Sequence, residues 1–401
     1  MNDNQVSESN LYLKAPSFLK WIFLCGVFWL ALGVAYIPIN KVYQQGIIVL
    51  FFLPVLLFFL LNTKIFYNFI SSNKIFFSIL GVVFLYAALN STFLGNFKSA
   101  KHVIYVLLFV FSGLVFVFLD YNEKVRSKFL FLILAVAMFI ALASIYNFFY
   151  IEGHHFSERM WGVLGVNHPI LGSYYIGVFL LACLFLIVDQ RKLNSLPLLI
   201  VMSAYIVFAQ SRGAYLAIFI APILYGAIFL RHNKYFKLFL FIIFTCAALL
   251  VYFLFEQIML RGSSNRFEII SLALEVGVEK LWFGYGIGYD FSPHAIHSTE
   301  VFYHTHNLLT HIFIELGVFG VLFFIALWLY CLYYCFRNTE IALARFNILL
   351  ILFSSIAFQF DAASFIAQPR LEWFIVWVPI TLTVAVMAIR FMEKSKQPVN
   401  L

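Results

Sequence analysis

Long apolar stretches broken by short polar punctuation set the rhythm of this chain. Between consecutive charged residues it runs from Trp21 to Asn40, Val42 to Thr63, Phe129 to Ile151, Met160 to Val188 and Leu316 to Phe336. Each run is long enough for a bilayer-crossing helix, which takes about 20 residues. Charges and turn residues divide the 401 residues into twelve candidate spans, near 19–37, 44–61, 75–92, 102–119, 129–150, 168–188, 195–209, 213–230, 236–255, 312–336, 344–360 and 371–390. The pattern predicts an all-α polytopic membrane protein with about 12 transmembrane helices, forming a single integral domain over 1–401. The stretch up to Ser17 is polar and lacks the charged start and A-x-A site of a cleaved signal, and Leu24 ahead of Cys25 argues against lipoprotein processing. The first apolar run is therefore expected to stay as a helix. No internal repeat, low-complexity tract or soluble domain interrupts the series.

Composition sharpens this picture. The chain is 64% apolar and 11% charged, against about 25% charged for soluble domains, which excludes an ordinary soluble enzyme. Cys25, Cys183, Cys246, Cys331 and Cys335 all fall inside apolar runs, so neither a disulfide framework nor a thiolate zinc site is expected. The formal charge of +8 does not point to nucleic acid, because the basic residues are spread over short connections rather than gathered in one patch. They read as topology signals. An even number of spans puts both termini on one side. Cytoplasmic termini place 17 of the 26 Lys and Arg residues on the cytoplasmic side and 9 opposite, the orientation that the positive-inside rule favours.

Under that topology the outer side carries one long segment, 256–306, between spans 9 and 10. Arg266 to Val278 reads as a helix with apolar Ile269, Leu272, Leu274 and Val276, broken by Gly284, Gly286 and Gly288. An interfacial helix followed by an irregular turn is expected. Five of the nine outer basic residues are arginines: Arg159, Arg212, Arg261, Arg266 and Arg370. The planar guanidinium fork binds phosphate bidentately, which suggests a face built to hold an anion. The competing reading has these arginines snorkel to headgroups or pair with Glu158, Glu256, Glu268, Glu275 and Asp361. Arg212 lies in the turn between spans 7 and 8, where a charge facing lipid would be costly, so it should face a cavity. Arg266 opens the amphipathic stretch, where the helix dipole adds anion affinity. Two arginines and a helix start could neutralise a diphosphate.

Eight of the ten histidines are also outward: His154, His155, His168, His294, His297, His304, His306 and His311. His294-x-x-His297 and His304-x-His306 lack a convincing carboxylate partner, and no His-Glu-x-x-His occurs, so no metal is expected. A histidine near its ordinary pKa suits general-base work better. His306 stands out because the long loop returns to the membrane there, where it could share a cavity with Arg212. The plainer reading of a lone loop histidine is a spectator. His311 and Glu315 are expected to line the start of span 10, and Ser211 has no Asp-His arrangement that would make a serine hydrolase.

These residues resemble the bacterial O-antigen ligase and polymerase superfamily of lipid-linked glycan transferases. The resemblance rests on His306-Asn307 followed, after nine residues, by Gly317-Val-Phe-Gly320; on Gln210-Ser-Arg212-Gly213 at a helix hairpin; on Asn265-Arg266-Phe267 early in the long loop; and on the Gly-rich stretch from Arg159 to His168. Twelve spans with that loop extend it over most of the chain. It implies a type C glycosyltransferase-like fold and a periplasmic active site in the inner membrane. It also implies an undecaprenyl diphosphate-linked glycan donor, a lipid A-core acceptor, and neither cofactor nor metal. On that resemblance Arg212 and Arg266 hold the diphosphate and His306 is the base or orients the acceptor. Arg159, Arg261, Arg370 and Asn307 are supporting substrate-binding candidates. Length, basic balance and one dominant outer loop favour the ligase over a polymerase, whose members tend to have two sizeable outer loops. Protein O-oligosaccharyltransferases carry more sequence after the position of Arg390. A lipid-linked oligosaccharide flippase is the rival from another class, but the spans lack midplane charges and repeated halves.

Overall fold

The computed structural model describes residues 16–37, 40–93, 97–119, 121–231, 266–291, 304–362 and 365–396. The described elements are all helical: α1 (Ser17–Tyr36), α2 (Lys41–Leu61), α3 (Thr63–Ser72), α4 (Lys74–Phe93), α5 (Phe97–Phe118), α6 (Glu123–Ile151), α7 (Pro169–Val188), α8 (Leu196–Ala209), α9 (Arg212–Phe229), α10 (Arg266–Glu279), α11 (Leu308–Phe336), α12 (Ala342–Ala357) and α13 (Trp373–Lys396). Among the described residues, nine helices are long and apolar enough to cross a membrane, and α8 and α12 are shorter apolar helices. Eleven of the twelve expected spans therefore have their helix. The remaining one, 236–255, lies outside the described residues, as do Arg261, His294 and His297. The protein is an all-helical, multi-pass membrane protein.

One connection between expected spans proves to be helical. In α3, Phe66 packs on Phe59 and Phe111, and Phe69 packs on Phe77, Phe118 and Phe391, while Tyr67 faces outward. An apolar stripe opposite an exposed face is the pattern of a helix lying along a membrane surface. The segment from Arg266 forms the expected helix, burying Ile269, Ala273 and Gly277 at fourfold spacing.

Burial places α7 and α13 at the centre. In each, 72% of the apolar window is covered by protein, against 28% in α6 and 33% in α2, which face lipid. Trp377 of α13 is fully buried, stacks on Phe84 and Phe365, and donates its indole N–H to the Phe365 carbonyl at 2.7 Å. Asn347 ties α12 to α13 by donating to the Pro379 carbonyl and to Thr383 Oγ1, both at 2.9 Å. Because successive spans alternate in direction, polar residues sort to two ends. One end holds Asp189, Arg345 and Arg390; the other gathers Arg159, Arg212, Arg266, His168, His304 and His306.

Candidate active site

The site is organised by two short segments that zip together, one just before α11 and one just after α12. Leu308 N–H donates to the Phe358 carbonyl at 2.9 Å, and the Asn307 amide donates to the Gln359 carbonyl at 3.2 Å and to Gln359 Oε1 at 2.9 Å. Asn307 also caps α11, its Oδ1 accepting from Thr310 N–H at 3.1 Å. Its amide is thus committed to protein contacts that align the next residues on each side. The alignment brings His306 Nδ1 to 3.1 Å from Asp361 Oδ1. His306 itself has φ of +53°, the left-handed region that side chains other than glycine rarely adopt. Asp361 is 1% exposed, and its second oxygen, which lies 3.8 Å from His168 Nδ1, has no hydrogen-bond partner among the described residues.

Phe360, next to Asp361, joins this dyad to the arginines. The Arg266 guanidinium lies 5.8 Å from the centre of the Phe360 ring, within cation–π range. Gly213, directly after Arg212, packs against both Phe360 and the Tyr174 hydroxyl, with no room for a side chain. Arg212 is the first residue of α9, reached through Gln210 in a left-handed conformation and Ser211 as cap. The hydroxyls of Tyr174 and Ser211 are buried without a hydrogen-bond partner among the described residues. Buried donors are nearly always satisfied, so this pair is suited to a ligand.

Arg159, Arg370 and the long-loop histidines fall in different places. Arg159 Nε donates to the Ala209 carbonyl at 3.3 Å, Met160 N–H donates to the Phe208 carbonyl at 3.0 Å, and the Gln210 amide reaches the Ser157 carbonyl at 3.1 Å. The Gly-rich stretch is thereby docked on the α8–α9 hairpin that carries Arg212. Arg370 donates to Glu372 Oε2 at 2.9 Å. His311 and Glu315 form a buried pair at 3.3 Å on the first turns of α11.

The two motif glycines that the sequence leaves unexplained meet each other's segments. Gly317 (φ +65°) kinks α11, and Gly284 (φ +69°) lies flat against the backbone of Glu315 and Leu316, where a Cβ would collide. The kink frees carbonyls that the Gly-rich turn then satisfies: Tyr285 N–H donates to Ile314 O and Gly286 N–H to Glu315 O, both at 2.8 Å. Gly288 N–H donates to the Glu315 carboxylate at 2.6 Å. The turn is a clamp on the start of α11, so it fixes the direction from which His306 enters the site.

Asp361 is the residue that sequence reading left out of the site, naming it only as a partner for an arginine. It also overturns the expectation that His304-x-His306 has no carboxylate at hand: His304, His306 and Asp361 each bring a ligand atom within 4.8 Å of the others. Two imidazoles and a carboxylate are a zinc-type donor set, and these three side chains could chelate such an ion. The available signal was position, since Asp361 directly follows the apolar span 344–360. Charge at the site is tightly set. Burial and the neighbouring His306 push the His304 ring down to about 4, so it stays neutral. Burial alone would raise the Asp361 carboxyl, but the hydrogen bond and charge of His306 hold it below the usual carboxylate range.

Residues 197–325, which include Arg212, Arg266 and His306, match the family model described as O-antigen ligase. The chain is also similar to the O-antigen ligase of Pseudomonas aeruginosa, 22% identical over 375 residues that cover 91% of this chain and 90% of the relative. With the motif residues gathered at one end of a polytopic helical bundle, and with the likeness running through nearly the whole length, the chain is similar to O-antigen ligases.

Proposed function

We propose that the protein transfers a glycan from undecaprenyl diphosphate to lipid A-core, at the periplasmic face of the inner membrane and with both termini cytoplasmic. The observation that carries this reading is the His306–Asp361 pair, 3.1 Å apart, joined through Phe360 to Arg266 and the Arg212 turn. His306 Nδ1–H donates to Asp361, which leaves Nε2 free to take a proton. In the reaction Nε2 accepts the proton of an acceptor sugar hydroxyl. That oxygen attacks the anomeric carbon as its bond to the diphosphate breaks, and the proton leaves later from His306. Arg212 and Arg266 hold the departing diphosphate, with the Tyr174 and Ser211 hydroxyls as further donors. Charge stabilisation of this kind requires no metal. Asp361 is a positioning residue, keeping the imidazole in one tautomer and orientation.

The test is transfer by purified protein in nanodiscs, supplied with lipid-linked glycan and core acceptor, alongside gel analysis of lipopolysaccharide from a strain lacking the gene. Core without O-chains and accumulated lipid-linked polymer are expected. Core bearing a single repeat would instead make the protein a polymerase, and an unchanged ladder would sink both readings.

A further inference from the structure

The same end of the molecule holds a cavity of about 570 Å³ between α1, α2, the start of α7 and the segment 368–372. Its polar lining comes from Asn167, His168, Gln368, Arg370 and Glu372, with Tyr43 supplying aromatic surface. Tyr43 is rigidly held: its hydroxyl donates to the Leu30 carbonyl at 3.0 Å, and the Trp29 indole donates to its own carbonyl at 2.9 Å. Arg370 and Glu372 balance each other's charge. Glu372 is 1% exposed, and its Oε1 has no partner among the described residues. Asn167 and Gln368 add amide donors and acceptors to the same lining. His168 Nδ1 accepts from Leu171 N–H at 3.3 Å, which leaves Nε2 to carry the proton of the neutral ring as a donor.

Interspersed donors and acceptors with balanced charge, beside an aromatic side chain, suit a polyol. A phosphate calls for uncompensated cations and an acyl chain for walls apolar throughout, whereas here Val34, Ile37, Leu164, Leu171 and Leu371 share the lining with the polar groups, as the apolar faces and hydroxyl rim of a sugar ring require. The volume lies in the range of small-ligand pockets. One side chain separates the cavity from the dyad, since His168 both lines the cavity and approaches Asp361 to 3.8 Å. We propose that this cavity is a pyranose subsite, holding the sugar adjacent to the one that reacts, from either the donor glycan or the acceptor core. The proposal rests on the glycosyl-transfer reading above and adds a second binding place to it.

The probes are lipid-free core oligosaccharide and O-chain repeat, each released from the host strain's own lipopolysaccharide. Their binding to protein in nanodiscs is followed by saturation-transfer NMR, and KM is measured separately for the two full substrates. Asn167→Ala and Gln368→Ala each remove one neutral hydrogen-bonding group, which should raise KM about five- to tenfold for one substrate while kcat stays within about twofold. The matching oligosaccharide should lose its NMR signal. A donor-side effect assigns the subsite to the O-chain, and an acceptor-side effect assigns it to the core. Wild-type KM for both substrates in both variants overturns the proposal and leaves the ligase reading standing. If the wild type transfers nothing, binding lost in the variants keeps the sugar subsite while the ligase reading falls; binding absent in the wild type, or unchanged in the variants, ends the subsite.

Discussion

The two polar ends of this bundle use the same residue types to different effect. At the end of Asp189, Arg345 forks onto the carboxylate with contacts of 2.9 and 2.6 Å, the Tyr225 hydroxyl donates to it at 3.0 Å, and Arg345 also reaches the Thr339 carbonyl at 2.8 Å. Arg390 is likewise shared among Asn338, Glu340 and Glu393. At the opposite end, Tyr174 Oη, Ser211 Oγ, His304 Nδ1, Asp361 Oδ2 and Glu372 Oε1 are buried without a partner among the described residues. A buried polar group left open costs free energy. One end therefore spends its polar groups on holding helices together, and the other keeps them available for something that arrives later.

The comparison breaks most sharply at His306. Replacing it with alanine should lower transfer by about 10³-fold, within the usual range for a general base, while thermal unfolding stays near wild type. Normal transfer by that variant would remove His306 from the mechanism. Arg212→Ala and Arg266→Ala should each cost on the order of 10²-fold in rate and also weaken donor binding. Lysine should rescue only in part, having lost the bidentate fork, and full activity in Arg212→Lys would reduce the site to simple charge. Asp361→Asn keeps the shape but frees the imidazole, so a loss of about 10²-fold in kcat with little change in donor affinity is expected.

At the closed end the signs reverse. Arg345→Ala leaves Asp189 uncompensated, with side chains 25% and 10% exposed, and should cost about 2 kcal/mol of stability with transfer per folded molecule unchanged. Reduced transfer without lower stability would show that the ends are coupled. The smallest expected effect is on pH. His304 has a folded pKa pushed down to about 4, so the unfolded state binds more protons and stability falls as pH drops from about 6.5 toward that value. Asp361, also held low, contributes fully above the usual carboxylate range and loses its contribution below it. Melting temperatures at stepped pH should show the upper part of this decline flattened in His304→Gln.

Most of the fold was legible because charge punctuates the chain at nearly every helix end. The exception, α3, carries its apolar residues on one side only, and a ten-residue stripe is short enough to pass for a connection. Arg212, Arg266 and His306 could be singled out from residue type and position, whereas their shared neighbour Phe360 could not, since an aromatic in an apolar span looks like core. Asp361 was missed for a related reason. Its pairing with His306 spans 55 positions and depends on Asn307 holding Gln359, a contact that no local pattern encodes. The Gly284–Gly288 turn was readable as a turn, but its partner, the kink at Gly317, becomes visible only when both backbones meet.

The left-handed backbone at His306 sets thermal endurance against chemistry. A side chain held in that region costs about 1–3 kcal/mol relative to one at ease there. The substitution that best relaxes this position, His306→Gly, also deletes the imidazole on which transfer is proposed to depend. A library of variants sorted by heat resistance alone would enrich for the silent enzyme, so a search for a hardier version of this protein has to leave residue 306 untouched and look for its gains at the closed end.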